Sequence, residues 1–273
     1  NDGEKFGCIA FANVSLDPAI NKILPLHLGD GVWVLDRPPV DVNETWQERL
    51  GSIAVDQISG SNLLLVVKRV SLNPEIVDAE ENRILIEQVN RLFYALLLQG
   101  MPEHLNAHSF IGAQAAGESM IHRITELYRH RTFRKGNPIG PKECFTAAEA
   151  LHGFNELFVD PDLYGRLKRG LKALIQATKE EYGEDALHEY VRALEALILP
   201  GIGDSRSNFT HRCRTFGKAD EPHVRVFEEC YDIRSNVEHM HHWNRAGSVQ
   251  FARSDLARLL ERLNQIETLA LNT

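Results

Sequence analysis

The sequence predicts an α+β protein, with a mixed strand/helix domain over residues 1–145 followed by an all-α helical bundle over residues 146–273. Three observations predict it. Short β-branched and apolar runs bounded by turn residues fill the first part of the chain. Later, apolar residues recur at helical spacing almost to the end. Between the two lies a basic stretch, residues 129–142, with two Gly, two Pro and no acid, which reads as a loop or linker.

The elements follow in order. Residues 7–14, 31–36 and 63–70 are strand-like, bounded by turn signals such as Asp30-Gly31, Arg37-Pro38-Pro39 and Asn73-Pro74. Over residues 78–99, Leu85, Val89, Leu92, Phe93 and Leu96 share one helical face, and Gly100 is a C-terminal stop. Residues 109–113 suit a strand and 118–129 a short helix. Helices are expected over 146–157, 162–182, 184–199, 205–216, 222–243 and 255–269. In the third of these, Leu187, Tyr190, Val191, Leu194 and Ile198 form the apolar face, and Pro200-Gly201 ends it. The last carries Leu256, Leu259, Leu260, Leu263 and Ile266 as its stripe, with Ser254 as N-cap. Several helices with short connections suggest a bundle.

Composition limits the function. Hydrophobic residues make up 43% and charged residues 25%, values of an ordinary globular chain, so disorder over most of the length is not expected. The formal charge of −8 argues against coating nucleic acid by bulk charge, because non-specific binding neutralises phosphates. It leaves room for a local basic site. The longest apolar runs, residues 63–67 and 94–98, fall far short of the roughly 20 residues that cross a bilayer, so no membrane association is expected. Asn1-Asp2-Gly3-Glu4-Lys5 has no signal-peptide character. Cys8, Cys144, Cys213 and Cys230 lie far apart without a CxxC pair, which suits reduced thiols and a cytoplasmic protein.

Several motifs fail. Gly136 to Lys142 lacks the spacing and the Ser or Thr of a phosphate loop, and Gly201-Ile202-Gly203 lacks the third glycine of a dinucleotide fingerprint. His104 and His108 have zinc-helix spacing in a loop-like context. Cys213, Cys230, His239, His241 and His242 lack CxxC or HxxxH pairs. No cofactor or metal is expected.

One segment carries more weight: residues 227–239, in which Arg234 and His239 are separated by four residues near the end of an amphipathic helix. It resembles the motif of HEPN domains, an Arg and a His with four to six residues between them, and Tyr231-Asp232-Ile233 fits the ApeA-like branch. Arg192-Ala193-Leu194-Glu195-Ala196-Leu197 looks like that family's LEALL helix. Phe209-Thr210-His211-Arg212-Cys213 looks like the helix that follows it. The resemblance covers residues 147–273, and the region from Trp46 to Val70 is loosely like the extension ahead of such domains. Ser235 stands where many members carry Asn, Asp or His, and Met240 where a Gly often follows the motif His.

The resemblance implies a HEPN-like bundle and a metal-independent endoribonuclease of prokaryotic defence type, acting in abortive infection or as a toxin. The partners implied are RNA, a second copy of the chain, and an antitoxin or regulatory partner. Many members dimerise so that two Arg/His motifs meet in one cleft. Arg234 and His239 would be catalytic, with Ser235, Asn236, Glu195 and Tyr231 as supporting groups. Arg129, Arg131, Arg134 and Lys135 would contact the RNA backbone, with Phe133 available for stacking.

The residue types suit this chemistry. RNA carries its own nucleophile, the 2′-hydroxyl, so cleavage needs proton transfer and charge stabilisation and no metal. An imidazole titrates near 6.5, which suits His239 to the proton transfer. The Arg234 guanidinium offers a fixed two-pronged donor to phosphate. Positions five apart on a helix differ by about 140° and about 7.5 Å, so Arg234 and His239 do not stack on one face. A distorted helix end, or a second copy across a two-fold axis, would bring an Arg and a His together more easily.

Plainer readings stand beside this one. His239 alone reads as a surface helix histidine, and Arg234 can pair with Glu228 or Glu238. Glu195, set among apolar residues, needs a partner such as Arg234 or Arg212. Two other functions remain open: an inactive HEPN scaffold that binds RNA or nucleotide or mediates dimerisation, and a helical protein–protein adaptor.

Overall fold

The structure is a computed structural model. It describes the chain apart from residues 1–2, 43, 78, 100–103, 116, 132–135, 160–162, 199–204, 218–220, 239–252 and 272–273. It also leaves out the side chains of residues 79, 104–106, 125–129, 131, 205, 216–217, 221–223, 236–238, 253–258 and 271. The architecture is α+β, an antiparallel sheet followed by helices. The chain divides into two compact units, residues 1–130 with 136–156, and residues 131–135 with 157–273.

The first unit contains β1 (Glu4–Phe11), α1 (Pro18–Asn21), β2 (Leu26–Gly29), β3 (Val32–Leu35), α2 (Glu44–Leu50) and α3 (Ser52–Ser59). It continues with β4 (Leu63–Val70), α4 (Ala79–Leu98), β5 (His104–Ala115), β6 (Glu118–Arg131) and α5 (Pro141–Val159). The strands form one sheet in the order β2-β3-β4-β1-β5-β6. β1 is central and antiparallel to both neighbours, so Gly7 sits between Val67 of β4 and Ile111 of β5.

Both faces of this sheet are covered, which is why β1 from Phe6 to Phe11 and β4 from Leu63 to Val67 carry no charged residue. Ile9, Phe11, Leu63, Leu65 and Val67 point to one side, where Leu85, Val89 and Phe93 of α4 and Cys144, Ala147 and Leu151 of α5 close the core. Phe6, Cys8, Ala10, Leu64 and Val66 point to the other, against Trp46 of α2 and Val55 and Ile58 of α3. Each fully buried Leu, Ile or Phe contributes about 1.5–3 kcal/mol. Glycine is required at Gly7, because a Cβ there would lie 2.9 Å from the Leu85 carbonyl oxygen. The β2–β3 turn is carried by Asp30 and Gly31, with φ of 47° and 75°, the two left-handed residues of a hairpin turn matched to strand twist.

The structure corrects three expectations here. Residues 118–131 form strand β6, not a helix. Hairpin pairing with β5 across Gly117, at φ 81°, overrides the helix-compatible Glu118, Met120 and Glu126. Arg129 and Arg131 therefore end a strand and do not open a linker. The helix expected to begin the bundle is α5, and its buried face joins the core of the first unit, so the division does not fall at 145/146. The helices α2 and α3 and the strand β2 were not foreseen, being short elements with weak periodicity.

β6 also brings in an unusual histidine. Both ring nitrogens of His122 are buried without a hydrogen-bond partner among the described residues. Burial first, then the charge of Lys5, lowers its pKa below the ordinary 6.5; burial likewise lowers His108. The unfolded chain then binds more protons than the folded one just below pH 6.5, so stability rises with pH through that window. Urea unfolding between pH 5 and 7.5 is expected to show this slope. His122→Gln should flatten it, and an unchanged slope would count against the assignment.

The second unit contains α6 (Gly165–Ala177), α7 (Gly183–Ile198), α8 (Ser205–Gly217), α9 (Glu221–Glu238) and α10 (Arg253–Leu271). α7 is the central helix and packs against the other four. It buries Ala186, Leu187, Tyr190, Val191, Ala193, Leu194 and Ile198, a wider surface than one stripe, as a helix surrounded by others requires. α6 approaches it closely at Gly170, where a Cβ would stand 3.0 Å from Ala196 Cβ and 3.3 Å from the Ala193 carbonyl oxygen. Gly170→Val should therefore destabilise this unit by about 1–3 kcal/mol through overpacking. A thermal melt equal to wild type would refute that close fit.

Among the described residues no helix is long and apolar enough to cross a membrane.

Candidate functional site on helix α9

α9 is anchored by Val226, Phe227, Cys230 and Ile233, all buried. That spacing fixes its rotation and decides where its polar residues point. Arg234 lies beside the anchored face, and its side chain is 17% exposed. One guanidinium nitrogen, Nη2, donates to Glu195 Oε2 of α7 at 3.3 Å. The guanidinium carbon lies 5.8 Å from the centre of the Tyr231 ring. That ring packs in turn on Phe209 of α8, with centroids 5.2 Å apart. Carboxylate and aromatic face together hold the planar group in a set orientation.

Three of the sequence-predicted site residues, Arg234, Glu195 and Tyr231, thus meet in space. Glu195 needs a partner, as expected of a carboxylate set among apolar residues, and Arg234 is one that it has. Arg212 donates to the Ile198 carbonyl at 2.9 Å, satisfying one of the open carbonyls at the end of α7. Ser235 is half-buried on α9. Asn236 belongs to α9 by its backbone, its side chain lying outside the described residues. His239, the second half of the motif, lies outside the described residues and follows Glu238, the last residue of α9. The side chains of Arg129 and Arg131, and all of Arg134 and Lys135, lie outside them too.

Two further ion pairs brace the helix. Arg206 of α8 donates twice to Asp232, at 2.7 and 2.9 Å, and this pairing raises its pKa further above its ordinary range. Arg262 of α10 donates to Glu229 at 2.9 Å.

The site has no thiol nucleophile. All four cysteines are buried and free. Burial pushes Cys213 up to about 12, with the Glu195 charge adding to it, and burial raises Cys230 as well. A neutral buried thiol is inert. Among the described residues no group of three or more His, Cys, Asp or Glu could hold a metal ion; His239, His241 and His242 lie outside them.

Four residues were missed as a group: Ser207, Thr210, His211 and Arg214. They line a groove between α8 and α9. Their offsets of three, four and seven were a visible signal of one polar helix face.

Comparison with known proteins finds no family model, no curated protein and no solved structure that matches the chain.

Proposed function

We propose that the chain is a metal-independent endoribonuclease of HEPN type, working in prokaryotic defence as a homodimer. The observation that carries this reading is the set orientation of Arg234 by Glu195 and Tyr231 on a helix running to Glu238, next to His239. A guanidinium carries five N–H donors in a planar fork that suits a phosphodiester, and its charge persists at any working pH.

In this reading the RNA 2′-oxygen attacks phosphorus and the P–O5′ bond breaks. The products are a 2′,3′-cyclic phosphate and a free 5′-hydroxyl. His239 carries the proton, taking it from the 2′-hydroxyl or giving it to the leaving 5′-oxygen. Arg234 stabilises charge on the non-bridging phosphoryl oxygens. Because Arg234 and His239 are about 140° apart around an ideal helix, the complete site combines the Arg of one copy with the His of the other. Proton transfer of this kind is worth about 10²–10⁴-fold.

The test is incubation of single-stranded RNA with the protein in EDTA, comparing wild type with Arg234→Ala and His239→Ala. Cyclic phosphate ends formed by wild type and lost in both variants support the reading. Cleavage by either variant at the wild-type rate overturns it. The Arg234–Glu195 pair also suits a structural strut, so a non-catalytic RNA-binding scaffold is the second reading, and binding without cleavage would select it.

A further inference from the structure

The polar face of α8 and the adjoining face of α9 enclose a groove of about 530 Å³ lined by Ser207, Thr210, His211 and Arg214 on α8 and Val224 and Glu228 on α9. That size suits a nucleotide-sized ligand. Arg206 stands at its wall, where the two hydrogen bonds to Asp232 fix it. Thr210 is only 8% exposed, and its hydroxyl has no hydrogen-bond partner among the described residues. A buried polar group left unmatched in this way calls for an explanation.

The chemistry of the lining narrows the ligand. Arg214, His211 and Ser207 supply donors, the set that receives a phosphate. Glu228 has the opposite preference, since its carboxylate only accepts and repels an anion. A bare phosphate therefore fits poorly, whereas a phosphate joined to hydroxyl donors fits well. On α9, Tyr231 lies about 60° around the helix from both Glu228 and Arg234, which are themselves about 9 Å apart along its axis. The groove thus neighbours the Arg234 site, with one aromatic ring between them.

We propose that the α8–α9 groove seats one ribose-phosphate unit of RNA, its phosphate on Arg214 and His211 and its 2′-hydroxyl on Glu228. This rests on the ribonuclease reading for the identity of the polymer. The unit flanks the nucleotide whose phosphate is held by Arg234, and Glu228 makes the groove selective for RNA over DNA.

The experiment measures binding of a fluorescent single-stranded RNA, and of the DNA of the same sequence, to full-length protein carrying His239→Ala, so that nothing is cut. In that background Arg214→Gln should weaken RNA binding about tenfold, the scale of one hydrogen bond to a charged group. Glu228→Gln should weaken RNA binding while leaving DNA binding unchanged or stronger. Arg225→Ala removes an equal charge from an exposed position on α9 outside the groove and should change neither. Circular dichroism melts confirm that each variant is folded. If Arg225→Ala costs as much as Arg214→Gln, bulk charge explains the effect and the proposal falls. If Arg214 and Glu228 variants bind RNA as their parent does, while Arg234→Ala still abolishes cleavage in the His239 protein, the groove is not a subsite and the nuclease reading stands. If the parent binds no RNA and wild type cuts none, both fall together.

Discussion

If the proposed nuclease reading holds, Arg234→Ala is expected to lower the rate of RNA cleavage by about 10²–10³-fold, the loss seen when one preorganised donor to a developing oxyanion is removed. Arg234→Lys recovers only part of it. An ammonium keeps the charge but lacks the planar fork that spans two oxygens, and it cannot reproduce the stacking on Tyr231 in the same plane. The informative partner is Glu195. It touches the guanidinium, and in the proposed reading it acts through that group as a positioning residue. Glu195→Gln should lower kcat by a smaller factor than Arg234→Ala and leave KM nearly unchanged. In an Arg234→Ala background the same change should cost nothing further, because there is no guanidinium left to orient. A Glu195→Gln effect of equal size in both backgrounds would show that Glu195 acts by some route other than Arg234. Thermal melts belong to this series, since removing Arg234 leaves the Glu195 carboxylate, 19% exposed, without that partner.

The parts of this molecule legible in the sequence are those where one local pattern decides the outcome. The stripe Leu85, Val89, Leu92, Phe93 and Leu96 specifies α4 by itself, and Leu187 to Ile198 specifies α7. β4 begins where its apolar run does and continues three residues past it, to Val70. Residues 118–131 behave otherwise. Their composition suits a helix as well as a strand, and what decides is the neighbouring strand β5, available across a two-residue turn. α5 is equally helical in either unit; its allegiance follows from Cys144, Ala147 and Leu151 matching the apolar face of the sheet, a property of the sheet and not of the helix. At the site, Glu195 could be nominated because a carboxylate among Leu and Ala needs a partner, and Arg234 was one of two candidates. The structure places Arg234 Nη2 on Glu195 Oε2, while one Arg212 nitrogen reaches the end of α7. The groove was not legible, because it exists only when α8 and α9 lie side by side.

Glu81→Gln is expected to destabilise the first unit by about 3–5 kcal/mol, the cost of leaving a buried charge without its counter-charge. The charge at stake is Lys5, the second residue of β1, which is fully buried with Ile9 and Gly7 on the α4 face of the sheet. Its ammonium donates to Glu81 Oε2 at 2.5 Å and to the Ile76 carbonyl at 2.6 Å. The Ser71 hydroxyl donates to the same carboxylate oxygen at 3.3 Å. Glu81 lies in the first turn of α4, where the helix dipole also favours an anion. The pair therefore ties β1 to the start of α4 and to the segment entering it. The two partners are not equivalent. Glu81 is 26% exposed and can be hydrated if its partner is lost, whereas Lys5 cannot. Lys5→Met should thus cost less than Glu81→Gln, because it removes the buried charge together with the bond. The double variant should lie close to Lys5→Met alone and well short of the sum of the two single changes. Urea unfolding followed by tryptophan fluorescence measures this, since Trp33 and Trp46 both belong to the first unit. A Glu81→Gln midpoint within experimental scatter of wild type, or simple additivity in the double variant, would show that the ammonium finds other acceptors and that the pair does not hold this end of the sheet.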